Sequence, residues 1–294
     1  MIRKRTVSGY IFDGLNILML GLLALIMVYP MVYEFFVSIS DPAMLTKHRG
    51  IMISPLGFSA SAYQIVFRNR LLLSGYRNTL FILVVGTVFS VALTAMGAYF
   101  LTRKRVLFYK PVMVFLLIKM YFSGGLVPFF LTVRATGLYD SLWALIIPTA
   151  ISTYNMILLR SYFMSIPESL MESVFIDGGG HFSAVFKIVL PLSLPALAVM
   201  TLYYGVGYWN SWFNAKIFLK SESLFPLQLV LHKILIQGEQ LDVQSEFVDV
   251  HNYEQISDSV KAATVMVSTL PILMFYPFLQ KYFVSGLMIG SLKE

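Results

Sequence analysis

The stretch SIPESLMESVFIDGGGHFSAVFKIVLP, residues 165–191, decides how the rest of the chain is read. It is a partly polar insert between long apolar segments, too short and too charged to cross a bilayer. Ser165 with Glu168 three residues later predicts a capping box, in which the hydroxyl and the carboxylate satisfy the free N–H groups that open a helix. From Pro167 onward Leu170, Met171, Val174 and Phe175 recur at helical spacing, while Glu168, Ser169, Glu172 and Ser173 fall largely on the other side. The triplet Gly178, Gly179, Gly180 predicts the end of that helix, because glycine accepts the left-handed conformation and lets another backbone approach closely. The spacing therefore predicts a short amphipathic helix over Pro167–Asp177 with a hinge behind it. Taken alone, such a helix is also free to lie in the headgroup layer of a membrane.

The surrounding composition supplies the membrane. The 294 residues are 57% hydrophobic and 13% charged, with a mean hydropathy of +0.75, far from the soluble globular norm. Windows of about 20 apolar residues predict six spans: Leu15–Ser40, Thr79–Thr102, Pro111–Val133, Leu142–Tyr162, Leu190–Trp212 and Ala262–Phe283. No linker separates domains, so the expectation is one all-α polytopic domain over residues 1–294. Arg3-Lys4-Arg5 before the first apolar run mimics a signal peptide, but the run is too long and lacks a small-residue cleavage site, so it reads as a retained span. Six spans put both termini on one side, together with Arg103-Lys104-Arg105, Lys110, Lys187 and Lys281. The positive-inside tendency makes that side the cytoplasm. Loops 41–78 and 221–259 are then external. The first runs against the trend with Lys47, Arg49, Arg68, Arg70 and Arg77. The second holds Glu222, Glu239, Asp242, Glu246, Asp249, Glu254 and Asp258 against Lys233, and a short helix is expected near Leu227–Ile236. The net charge of +7 is thus distributed as topology anchors, and no nucleic-acid motif accompanies it. With no cysteine, disulfides and thiolate metal sites are impossible.

Within the spans, Gly124-Gly125 with Pro128 interrupts the third, and Pro191 with Pro195 bends the entrance to the fifth. Such breaks are tolerated where the freed backbone is buried in protein or lines a water-filled cavity. Lys119 is the deepest cation, and an ammonium at that depth costs about 3 kcal/mol on insertion scales. Two readings fit it equally: it lines a path for an anionic solute, or it pairs with a neighbouring subunit. The fifth span ends in Tyr203, Tyr204, Tyr208, Trp209, Trp212 and Phe213 around Asn210 and Asn214. This is either an interfacial aromatic belt or a sugar path, where aromatic faces stack on sugar rings and amides bond hydroxyls. The chain has no G-x-x-x-x-G-K-[ST] loop, H-E-x-x-H helix or G-x-S-x-G elbow, and His48, His181, His232 and His251 are scattered. Neither ATP hydrolysis nor another catalytic activity is expected of it, nor a metal site.

Glu172, Gly178 and Ile188-Val189-Leu190-Pro191 match the order E-A-A, three residues, G, nine residues, I-x-L-P, with Ser173 and Val174 standing where two alanines are usual. On these residues, on Trp209-Asn210 and on the PLQ run Pro226–Gln228, the chain resembles the binding-protein-dependent ABC importer permeases. It is most similar to their MalG-like carbohydrate branch, over nearly its whole length. The resemblance implies six transmembrane helices and a short cytoplasmic coupling helix in the cytoplasmic (inner) membrane of a bacterium. It also implies a second related permease chain, two ATPase subunits that hold the ATP and Mg, and an extracytoplasmic solute-binding protein. The chain itself would bind no cofactor. Glu168, Glu172, Asp177, Gly178, Ile188, Leu190 and Pro191 would couple it to the ATPase. Lys119, Tyr204, Tyr208, Trp209, Asn210, Trp212 and Asn214 would line the translocation path. The MYFSGGLVP run of the third span and the pattern RKR-x-x-x-G-Y-x-F-D at residues 3–13 look like those of permeases for complex oligosaccharides, including uronate polymers such as alginate or pectin fragments. The rival reading is an ion-coupled secondary transporter, which needs ionisable groups near the midplane. Lys119 alone answers that need.

Overall fold

A computed structural model describes residues 7–48, 50–103, 106–237 and 258–274. Arg3-Lys4-Arg5, Arg49, Lys104-Arg105, Glu239, Asp242, Glu246, Asp249, His251, Glu254, Lys281 and the end of the expected sixth span lie outside these residues. Every regular element among the described residues is helical. They fall into two compact units, Met1–Asn69 with Gly238–Leu270, and Arg70–Gln237 with Pro271–Glu294.

The first unit is built on α1 (Val7–Ile39). Between Asp13 and Glu34 its sequence carries no charge, and its apolar side chains from Tyr10 to Phe35 are largely exposed, as suits a helix solvated by lipid. Pro42 starts the short α2 (Pro42–Leu45), with Asp41 accepting from the Ala43 N–H at 2.8 Å. The following helix, α3 (Ser61–Arg68), is tied back to α1 by Tyr63, whose hydroxyl meets Ser38 Oγ at 2.8 Å. Val37, Met52 and Ala262 form a small buried cluster, the last of them on the helix over 258–274.

The second unit is organised around α4 (Arg70–Thr102), one of the two described helices long and apolar enough to cross a membrane; the other is Gly9–Ile39. It begins at Arg70, earlier than the apolar window suggests, so Arg70 and Arg77 are helical. Following it are α5 (Tyr109–Tyr121) and α6 (Leu126–Ala135), then α7 (Trp143–Ile146) and α8 (Thr153–Phe163). Next come α9 (Glu168–Ile176), α10 (His181–Ala184), a π-turn at Val185–Val189 and α11 (Leu190–Leu192). The unit closes with α12 (Leu194–Trp209), α13 (Trp212–Phe218) and α14 (Leu227–His232). α4 packs mainly on α12 and α8. Toward its C-terminal end Ala95, Ala98, Leu159, Val189 and Met200 are buried together. Small residues set the approach: a Cβ on Gly75 would stand 3.2 Å from the backbone of Leu227, and one on Gly86 would stand 2.9 Å from the Tyr208 ring.

Three expected spans are broken. The third divides at residues 122–125, where Gly125 takes φ +83°. At the fifth, His181–Leu192 and Leu194–Trp209 meet at 82° around Ser193, between the two prolines that prevent a continuous ladder. If that pair is one crossing, the described residues hold three apolar crossings. Leu142–Tyr162, expected to be continuous, is instead divided between α7 and α8. The reason is Pro148, which brings no N–H to the ladder. Thr149 Oγ1 donates to the Leu145 carbonyl at 2.7 Å, and Ser152 caps α8 by accepting from Asn155 N. The freed backbone is thereby satisfied by neighbouring side chains, as the membrane interior requires.

Candidate functional site

The helix expected at Pro167–Asp177 is present as α9, but the capping box is not. Ser165 is occupied by the end of α8: its N–H donates to the Tyr162 carbonyl at 3.0 Å and its hydroxyl to the same oxygen at 2.7 Å. Both groups that a box requires are therefore spent, and the helix opens behind an extended Pro167 without a side-chain cap. Its other end follows the glycine expectation. Gly178 takes φ +78°, its N–H donates to the Phe175 carbonyl at 3.1 Å, and Gly179 N–H donates to Val174 at 2.8 Å. This is a complete Schellman closure. The two glycines serve different needs: Gly178 supplies the left-handed turn, whereas a Cβ on Gly179 would stand 2.8 Å from the Val174 carbonyl oxygen and 2.6 Å from its Cγ1.

Of the apolar face of α9 only Met171 is buried; Leu170 and Phe175 are 40% and 38% exposed and Ile176 84%. Glu168, Glu172 and Asp177 are exposed as well. Past the glycines, the helix widens to a π-turn at Val185–Val189, in which Leu190 N–H reaches back to the Val185 carbonyl. Ile188 and Leu190 are half-buried and Pro191 is exposed.

Beneath α9 lies a cluster that sequence reasoning did not connect. Arg103 donates from Nη2 to Met171 Sδ at 2.7 Å and to the Tyr99 hydroxyl at 3.0 Å, with its guanidinium 4.8 Å from the centre of the Tyr99 ring. Tyr99 also meets His181 Nδ1 at 3.0 Å, and the His181 ring packs edge-on against Phe175 at 5.2 Å. Nearby on α8, Arg160 donates from Nε to the Leu101 carbonyl at 2.7 Å and from Nη2 to the Tyr109 hydroxyl at 3.1 Å. A Tyr and an Arg four residues apart at a helix end share a face, which is the only signal the sequence offers.

The break at Pro148 opens a cavity of about 510 Å³ between Leu145, Thr149, Ser152 and Asn155 on one side and Tyr203, Tyr204, Gly207, Tyr208, Asn210, Ser211, Phe213 and Asn214 on the other. No charged side chain lines it. Two tyrosines are pinned. Tyr204 accepts from Ser152 N–H at 3.0 Å and bonds Thr94 Oγ1 at 2.6 Å; Tyr208 bonds Ser90 Oγ at 2.7 Å and donates to the Ile146 carbonyl at 3.4 Å. Ser211 Oγ has no hydrogen-bond partner among the described residues. Asn210 lies in the break between α12 and α13 and gives its amide to the Val206 carbonyl at 3.0 Å. Of the expected path residues, Tyr204, Tyr208, Asn210 and Asn214 thus share one wall. The other three stand apart: Trp209 is buried, Trp212 stacks on His232 at 4.4 Å, and Lys119 donates to the Ile151 carbonyl at 3.3 Å. Thr149, Ser152 and Asn155 were not expected; Pro148 followed by a Ser cap was the signal for them.

Near the end of α13 the Asp140 carboxylate accepts from Lys220 N–H and Ser221 N–H, each at 2.9 Å, and from the Ser221 hydroxyl at 2.6 Å. The Ser221 hydroxyl, then the two backbone N–H groups, hold the Asp140 carboxyl below the usual aspartate range.

No family model matches the sequence. The chain is 39% identical over 285 residues to the polygalacturonan/rhamnogalacturonan transport system permease protein YtcP of Bacillus subtilis, covering 96% of this chain and 98% of that protein. It is 36% identical over 288 residues to the protein LplC of the same organism, covering 98% and 97%. A bacterial ABC transporter involved in the import of the acidic polysaccharide alginate, solved by crystallography, contains a chain that superposes with a TM-score of 0.87 at 33% identity, covering 95% of this chain and 99% of that one. The broken helices, the α9 closure and this end-to-end likeness lead to one conclusion: the chain belongs to the membrane permeases of ABC carbohydrate importers.

Proposed function

We propose that this permease spans the cytoplasmic membrane six times as a single domain, with both termini in the cytoplasm, and forms one half of a pore with a second related chain. ATP and Mg are held by separate ATPase subunits, and an extracytoplasmic binding protein delivers the cargo. The chain is non-catalytic and binds no cofactor of its own. α9 docks in the ATPase through Ile176 and the exposed parts of Leu170 and Phe175, with Glu168, Glu172 and Asp177 around them. ATPase closure then rocks the bundle between inward and outward opening, and Gly178, Ile188, Leu190 and Pro191 carry the motion from α9 into α12.

The cargo is an oligosaccharide, of the uronate type named for YtcP and the alginate transporter. One observation carries this reading: the cavity wall made of Thr149, Ser152, Asn155, Tyr203, Asn210, Ser211 and Asn214 is neutral, hydroxylic and amidic, matched to sugar hydroxyls and rings. The acid groups of a uronate find no cation on this wall, so this half reads hydroxyls. The test is uptake by the reconstituted transporter of galacturonate, alginate and maltose oligomers of equal length. Uronate uptake is expected, and Tyr203→Ala with Asn214→Leu should reduce it about tenfold, the equivalent of one or two hydrogen bonds, while the ATPase stays bound. Wild-type uptake by that double variant would remove the cavity from the path.

A further inference from the structure

We infer that Tyr99, Arg103 and His181 are positioning residues that lock α9 to the end of α4, so that motion of the coupling helix is delivered to α4 directly as well as along the chain into α12. The inference rests on the reading of α9 as the ATPase-docking helix and adds the joint through which it acts.

The geometry is directional. Arg103 can only donate, so the Tyr99 oxygen accepts from it, and the same hydroxyl also pairs with His181 Nδ1. One hydrogen-bonded chain therefore runs from Arg103 through Tyr99 to the first residue of α10, with the Arg103 guanidinium also on Met171 Sδ in the middle of α9. Phe175, one turn further along α9, closes the ring by packing on His181. Both helices flanking the glycine hinge are thus held to one turn of α4. The turn Gly178–Gly180 bonds through its backbone to α9 at Phe175 and Val174 and to α10 at Ala184. Tyr99 and Met171 are each 8% exposed, so the Arg103 side of the contact is sheltered while His181 stands at the exposed rim, and hydrogen bonds to a charged donor are stronger than neutral ones. Arg103 Nε is buried without a hydrogen-bond partner among the described residues, while its Nη2 meets both Met171 and Tyr99.

The experiment uses the complete transporter in proteoliposomes, with a galacturonate tetrasaccharide as cargo. It measures ATPase retained on the membrane, ATP hydrolysed, and sugar imported per ATP. Tyr99→Phe keeps the ring and removes the link; it should leave ATPase retention and basal hydrolysis unchanged while sugar per ATP falls about tenfold, as expected for one charge-assisted hydrogen bond. His181→Gln gives an independent break, and combined with Tyr99→Phe it should add nothing further. Arg103→Lys should recover much of what Arg103→Gln loses, because an ammonium still donates to Tyr99. Wild-type sugar per ATP in both Tyr99→Phe and His181→Gln would overturn the joint. Full ATPase retention by Glu172→Ala with Leu170→Asp would instead overturn the docking reading, and the joint with it.

Discussion

α4 is held by different chemistry at its two ends. From Asn78 to Thr94 its partners are neutral: Asn78 Nδ2 donates to the Ser223 and Phe225 carbonyls at 2.8 and 3.1 Å, Thr79 accepts from Leu227 N–H, and Ser90 and Thr94 meet tyrosine hydroxyls. From Tyr99 to Arg103 arginines make most of the contacts, Arg103 on Met171 Sδ and the Tyr99 hydroxyl and Arg160 on the Leu101 carbonyl, with His181 beside them on Tyr99. Neutral hydroxyl pairs are easily exchanged for sugar hydroxyls, whereas charge-assisted bonds resist exchange. The stretch that holds the cavity's tyrosines can therefore adapt, and the end that meets α9 transmits.

The strongest way to break that contrast is at the transmitting end. Gly179→Val places a Cβ against the Val174 carbonyl oxygen, a backbone atom that cannot step aside. The α9 closure should open at a cost of about 2 kcal/mol or more. Uptake should fall at least tenfold in proteoliposomes, with the protein still inserted in the membrane. At the adaptable end Gly86→Val drives a side chain into the Tyr208 ring, whose hydroxyl is tethered on two sides. Overpacking there costs about 1–3 kcal/mol; the expected result is weaker uptake and a lower unfolding temperature with the ATPase still bound.

The smallest effect sharpens the picture from the loops. Asp140 is a carboxylate with a depressed folded pKa, so its contribution is complete above the ordinary aspartate value of about 3.9 and is lost only as pH falls through the lower folded value. Asp140→Asn should lower the unfolding temperature slightly and equally between pH 8 and pH 5, and the difference from wild type should close in stronger acid. Thermal scans across that range check it.

Much of this was legible in residue order. Hydropathy marks α1 and α4 because both are long and nearly free of charge. Gly178, Gly124-Gly125 and the pair Pro191 and Pro195 mark a cap and two breaks by backbone rules that hold in any context. The break inside the fourth expected span was not read because Pro148 was outweighed by the apolar residues on both sides, although Ser152 behind it is an ordinary cap. Ser165 was misread because a hydroxyl between two helices can serve either, and the α8 carbonyl was nearer. Arg103 and His181 passed as a topology anchor and a stray histidine, since they stand 78 positions apart in the chain.

By itself, then, the sequence determined the membrane class, the helix breaks and the coupling-helix motif, because these depend on hydropathy, on proline and glycine geometry and on fixed local spacing. Tertiary structure decided that the Pro148 break faces Tyr203–Asn214 across a neutral cavity, and that Tyr99 and Arg103 meet Met171 and His181. Those are contacts between distant segments, set by how helices pack and not by any local preference of the residues that make them.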